Sequence, residues 1–281
     1  MLDENRKHYA LKPQDLIYTI AFDPPGVGYH RFMAKLLVSS IYCTGFSGDL
    51  IVFKNCIENI FAQSQRHVTE VRINTDAYGD DFAYRCQTFK YMAREFVQAT
   101  SYDNVIFIDA DCLCLDNPSE LASQEVELGY AVQPLGRLVD QGCNAYLTSE
   151  ELQMFERTRE CEINSGTFFV KGALFDMLLE EWRRVDLRKP LREKHSDQPA
   201  WVRVVLDSKL KRRPFQSGLV VRYPLWEQCA ADNFHKAIVL HFCGLTPKQK
   251  LAHMVGHYCA HFDTDLLERS LSLLEGDGKV L

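Results

Sequence analysis

Asp109-Ala110-Asp111 places two carboxylates either side of one small residue, directly after the apolar run Val105-Ile106-Phe107-Ile108. A bounded run rich in Val, Ile and Phe reads as a strand buried on both faces. Asp109 then falls at the strand's carboxyl end, the edge where open α/β sheets place their ligands. Residues two apart in an extended chain point to the same side, so one hard divalent cation can meet both acids. Such a cation can in turn hold the oxygens of a diphosphate. The plainer alternative is a strand end carrying two solvated acids, and the apolar run in front of them weighs against it.

Other residues add to this chemistry. A late apolar run, Ala237 to Leu240, leads into His241, with Gly244 three residues on and Lys248 and Lys250 following. An imidazole is a good third ligand beside two carboxylates, and lysines suit a departing diphosphate. Taken alone, a histidine on such a strand is more often a satisfied core residue. In Asn164-Ser165-Gly166 the glycine lets backbone approach a ligand, and the asparagine both donates and accepts hydrogen bonds. The same trio also reads as a turn or bulge. Asp197 follows a serine at the start of an apolar helix, where a carboxylate ordinarily serves the cap. Arg183 to Lys194 is basic, either a solvated face or a contact for an anionic substrate. His253, His257, Cys259 and His261 form a weak zinc pattern without a second cysteine pair.

The elements that would position these groups follow from periodicity. Leu16–Phe22, Leu50–Phe53, Val68–Ile73, Val105–Ile108 and Leu128–Val132 read as strands. Helical spacing runs over Tyr29–Thr44, Phe82–Ala99 and from Gly172 to Trp182, with a short helix around Ile57–Phe61 and a closing one over Phe262–Leu274. Strands alternating with helices imply an α/β fold with a mostly parallel, doubly wound sheet. Residues 133–149 lose the pattern and read as a lid or as a passive surface excursion. The loop after the first strand lacks G-x-G-x-x-G, which argues against a dinucleotide site.

At 281 residues, 46% apolar and 25% charged, the chain can bury one substantial core. A formal charge of −6 gives no footprint for nucleic acid. No apolar run is long enough for a transmembrane segment, and the polar first residues lack a signal-peptide core. Ten cysteines without framework spacing point to reduced thiols and a cytoplasmic setting.

Taken in order, the Asp-x-Asp at 109–111, Asn164-Ser165-Gly166, Asp197-Gln198 and the His-x-x-Gly of His241 to Gly244 resemble glycosyltransferase family 8, the retaining enzymes that include glycogenin and bacterial lipopolysaccharide galactosyltransferases. The resemblance spans roughly residues 16 to 250. It implies the A-type glycosyltransferase fold, a Rossmann-like sheet flanked by helices. It also implies a single domain over 1–281, with a nucleotide-binding half at 16–132, a sugar and acceptor half at 133–250 and a C-terminal helical segment at 251–281. The implied activity is metal-dependent transfer of a sugar, with retention, from a UDP-sugar to a saccharide or other hydroxyl acceptor. The implied metal is Mn2+ or Mg2+, held by Asp109, Asp111 and His241.

By the same resemblance, Ala21, Asp23 and Tyr29 would meet the uridine, Tyr29 by stacking. Lys90, or secondarily Arg85, would be the basic donor contact. Asn164, Ser165 and Gly166 would meet the donor sugar, Ala110 and Gly244 would line the donor site, and Asp197 and Gln198 would flank the reacting carbon. Pro247 stands where the family usually has a lysine, so Lys248 or Lys250 is the expected diphosphate contact. The first loop, with Pro24-Pro25-Gly26, is longer than the family's usual turn. A haloacid-dehalogenase-like phosphatase and a non-catalytic module of the same fold are the alternatives. The former normally carries its Asp-x-Asp on the first strand, followed by Gly-Thr.

Overall fold

In a computed structural model of the chain, the structure describes residues 15–61, 67–78, 82–122, 125–132, 146–158, 163–187, 197–223 and 236–262. Their centre is a seven-stranded sheet. Its first four members, from one edge inward, are β3 (Val68–Arg72), β2 (Asp49–Lys54), β1 (Asp15–Ala21) and β4 (Asn104–Ile108), all parallel. Then β7 (Ile163–Lys171) runs antiparallel to β4, followed by β6 (Leu128–Val132) and β8 (Arg212–Pro214). A second sheet has three strands, β5 (Cys112–Cys114), β10 (Val239–Phe242) and β9 (Val220–Tyr223), with β10 in the middle.

Strand alternation explains why the large sheet is covered on both faces. Leu16, Tyr18 and Ile20 of β1 and Val105 and Phe107 of β4 enter one core. Ile17 and Ala21, with Ile106 and Ile108, enter the other. The first face is covered by α4 (Phe175–Leu187) and α5 (Gln198–Asp207), whose Trp182 and Trp201 lie with ring centroids 4.6 Å apart. α2 (Phe82–Met92) adds Phe89 to the same core. α1 (Tyr29–Cys43) packs its Ala34, Leu37 and Ile41 into the second core. Its Met33 and Leu36 join a third cluster with Leu240 of β10 and Met254 and Tyr258 of α6 (Pro247–His261). α3 (Ser149–Thr158) is tied to α5 by the Arg203–Glu151 ion pair.

Two expected elements are corrected. Ile57–Phe61 forms bends instead of a helix, because Glu70 of β3 accepts from the backbone amides of Ile60 and Phe61, both at 2.9 Å. Lys54, buried and paired with Glu70 at 2.6 Å, takes the Glu58 carbonyl as well. Those groups are spent on a tertiary ion pair and are lost to a helical ladder. The helix expected over Phe82–Ala99 ends at Met92 and tightens to a 3-10 turn at Ala93–Glu95. That turn sends Val97 and Ala99 into the core ahead of β4. α6 ends with Phe262 as its C-cap; the rest of the closing helix expected over Phe262–Leu274 and most of the 133–149 loop lie outside the described residues. No described helix is long and apolar enough to cross a membrane. The seven described cysteines are free thiols, with Cys112 and Cys114 buried and Cys43 exposed.

Candidate functional site

The chain leaves the large sheet at Asp109 and enters the small one at Cys112, so the two acids straddle the seam between sheets. Backbone bonds fix both. The Asp109 amide donates to the Gly166 carbonyl at 2.8 Å, and the Asp111 carbonyl accepts from the Phe242 amide at 2.9 Å. β10 runs antiparallel to β5, which brings His241 opposite Cys112. His241 Nε2 then lies 3.4 Å from an Asp111 carboxylate oxygen and 3.8 Å from one of Asp109. Three groups separated by up to 132 positions thus meet at the carboxyl edge of the parallel strands.

Two lysines neutralise the acids. Lys90, in the last turn of α2, is buried with its Nζ 3.1 Å from both Asp109 and Asp197 and 5.1 Å from the Phe107 ring centroid. Burial opposes its charge, but the two carboxylates outweigh this and hold the ammonium protonated well above the ordinary lysine range. Lys250 of α6 pairs with Asp111. Asp111 is likewise held far below the usual carboxylate range; the cost of burial is overcome by His241 and Lys250. Asp109 is pushed upward, first by burial and then by Asp111 and Asp197, against the pull of Lys90 and His241.

Local sequence explains the lysine choice. Thr246 and Gln249 form a capping box and Pro247 occupies the first turn, so α6 starts there. Lys250 is one turn in and reaches Asp111, whereas Lys248 is exposed. Pro247 therefore sets the start of the helix that delivers Lys250 to Asp111.

Asn164-Ser165-Gly166 lies within β7 where its pairing with β6 slips between Tyr130 and Ala131, so the bulge reading holds. Asn164 donates to the Gln198 side-chain carbonyl at 3.1 Å and accepts from the Gly166 amide at 2.7 Å. The Ser165 carbonyl faces Lys90. A Cβ at Gly166 would strike the His241 ring and sit 2.8 Å from Asp109 Oδ2. Gly166→Ala is accordingly expected to displace the imidazole and to cost about 1–3 kcal/mol of native-state stability, as read from denaturant and thermal melts.

Asp197 stands at the N-cap of α5 without making a side-chain cap bond; its carboxylate faces Lys90 instead. The first-loop residues stand apart from this cluster. Asp23 accepts from the His30 and Arg31 amides at 2.8 and 3.0 Å, which caps α1 and engages both of its oxygens. Ala21 is buried in the core, and Tyr29 packs part-buried against the cluster around Leu240. Ala110 is buried between the acids, and Gly244 is exposed with φ +77°. The side chain of Arg85 lies outside the described residues. The C-terminal zinc pattern does not assemble, since His253 meets the Tyr223 hydroxyl and His261 the His257 carbonyl. Sequence reasoning missed Arg222, the register partner of His241, which lines a small cleft with Ala131, Val132, Asn164, Val220 and His241. Only strand pairing reveals it.

No family model and no curated protein sequence matches the chain. Solved structures do. The galactosyltransferase LgtC, in complex with donor and acceptor sugar analogues, superposes over 87% of this chain and 96% of its own, at 13% identity and TM-score 0.51. A glycosyltransferase involved in glycosylation of the major capsid of PBCV-1 covers 86% and 98%, at 13% identity and TM-score 0.50. The chain has the A-type glycosyltransferase fold. Within that fold the acid couplet directly follows β4, the fourth strand among the described residues, and is followed by Cys112-Leu113. Neither feature favours the phosphatase alternative.

Proposed function

We propose that this chain is a retaining glycosyltransferase of the family 8 kind, moving a sugar from a UDP-sugar to a saccharide or other hydroxyl acceptor. The carrying observation is the meeting of Asp109, Asp111 and His241 between two lysines, at the ligand-binding edge of an A-type fold. Metal–ligand bonds of about 2.1 Å put neighbouring ligand atoms about 3 Å apart. The 3.4 and 3.8 Å separations around His241 are close to this, and two carboxylates with an imidazole suit Mn2+ or Mg2+. When bound, that cation would neutralise charge on the departing diphosphate.

The remaining work belongs to the protein's own side chains. Lys250 is placed to contact the diphosphate once it releases Asp111. Gln198, held by Asn164, presents its amide beside Asp197, and both would stabilise positive charge at the reacting carbon. Lys90 pairs with both Asp109 and Asp197 and fixes them relative to each other. Residues 16–132 would form the donor half and 133–250 the sugar and acceptor half. The donor and acceptor analogues bound to LgtC support this reading.

A panel of nucleotide sugars with and without Mn2+, followed by a donor-hydrolysis assay, tests it. A UDP-sugar at 100 times its dissociation constant is expected to stabilise the native state by about 2.7 kcal/mol, seen as a raised melting temperature. Hydrolysis should follow for the same donor. Failure of every UDP-sugar to shift the melt or be turned over would sink the proposal; binding without turnover would leave the non-catalytic alternative.

A further inference from the structure

Cys112 lies beside the proposed cation site, yet none of the roles above uses it. It is fully buried, it directly follows Asp111, and it sits opposite His241 in the antiparallel pair of β5 and β10. Directly opposed residues of such a pair present their side chains on one face. Ligand atoms from Asp111, Cys112 and His241 all lie within 4.8 Å of one another. Asp109, 3.8 Å from His241, is also paired with Lys90, which holds Asp197 as well.

We propose that Cys112 adds a sulfur ligand to Asp109, Asp111 and His241, giving a mixed oxygen, nitrogen and sulfur site that selects zinc- or cobalt-like ions over manganese. The inference rests on the cation site of the proposed function and concerns which ion fills it. A thiolate is a soft donor that favours Zn2+ and Co2+, whereas carboxylates alone suit Mg2+ and Mn2+. On binding, the S–H bond breaks, its proton passes to solvent, and a metal–sulfur bond replaces a metal–water bond. The ion's two positive charges outweigh the one negative charge left on sulfur and weaken the need for Lys250 at Asp111, which frees that lysine for an anionic ligand.

The test uses the full chain, freed of metal and titrated with Co2+, Zn2+ and Mn2+ in turn. Co2+ should produce a near-ultraviolet thiolate-to-metal charge-transfer band in the unsubstituted chain and in Cys114→Ser, but not in Cys112→Ser. Cys112→Ser should weaken Zn2+ at least about 10-fold by calorimetry and leave Mn2+ within about 3-fold. X-ray absorption of the zinc-loaded unsubstituted chain needs no variant, and should show a sulfur neighbour at about 2.3 Å. Cobalt or zinc binding with no such band or sulfur neighbour overturns the role of Cys112 and leaves the glycosyltransferase reading standing. Binding of none of the three ions, even with UDP present, overturns both the sulfur site and metal-dependent transfer.

Discussion

Asp109→Asn is expected to lower cation-dependent turnover of the UDP-sugar at least about 100-fold, the scale of removing one electrostatic contact made at the departing group. The substitution keeps the shape of the side chain and an oxygen that can accept from Lys90, so the native fold should survive. It removes one of the two charges nearest His241. The loss should therefore appear in kcat/KM measured at saturating cation, while circular dichroism and the donor-free melting temperature stay close to those of the unsubstituted chain. Full activity in Asp109→Asn would remove the acid couplet from the mechanism. A collapsed melting temperature would instead make Asp109 a structural residue.

Lys90→Ala is expected to destabilise the native state by about 3 kcal/mol, because it strips the shared cation from the buried Asp197 and the part-buried Asp109. Asp109 and Asp197 each lie 3.1 Å from the Lys90 ammonium, and each raises the other's cost once it is gone. Urea denaturation reads the effect directly. Adding Asp197→Asn to Lys90→Ala should recover part of the loss, since one of the two stranded charges is then absent. Equal losses in the single and double variants would show that packing against Phe107, at 5.1 Å, outweighs the charges. The pH dependence has a definite sign. The folded-state pKa of Lys90 is raised, so its stabilisation is complete below the ordinary lysine value near 10.5. It falls only as pH climbs beyond that value, which leaves neutral and mildly alkaline solutions unaffected.

The elements that were easiest to read are those whose burial repeats along the chain. β1 and β4 declare themselves as apolar runs because both faces of the sheet are covered, and α1 shows its apolar spacing because two cores accept it. Where a tertiary group captured the backbone, local pattern misled: the Lys54–Glu70 pair turned the segment before residue 61 into bends. That Lys250 is the lysine paired with Asp111 was decided by the start of α6 at Pro247, a matter of helix phase that counting from His241 cannot supply.

Residue types and their order along the chain determined the class of chemistry: two carboxylates, an imidazole, lysines and an amide, on strands of an α/β sheet. The tertiary structure alone decided which of them share a charge network. The antiparallel pairing of β5 with β10 and the bulge in β7 set distances between residues far apart in sequence. It also decided that Asp23 caps a helix, that Lys90 bridges Asp109 to Asp197, and that a buried cysteine stands beside the imidazole. The physical reason is that side-chain type is a local property, whereas electrostatic pairing depends on separations of a few ångströms that only strand register and helix phase establish.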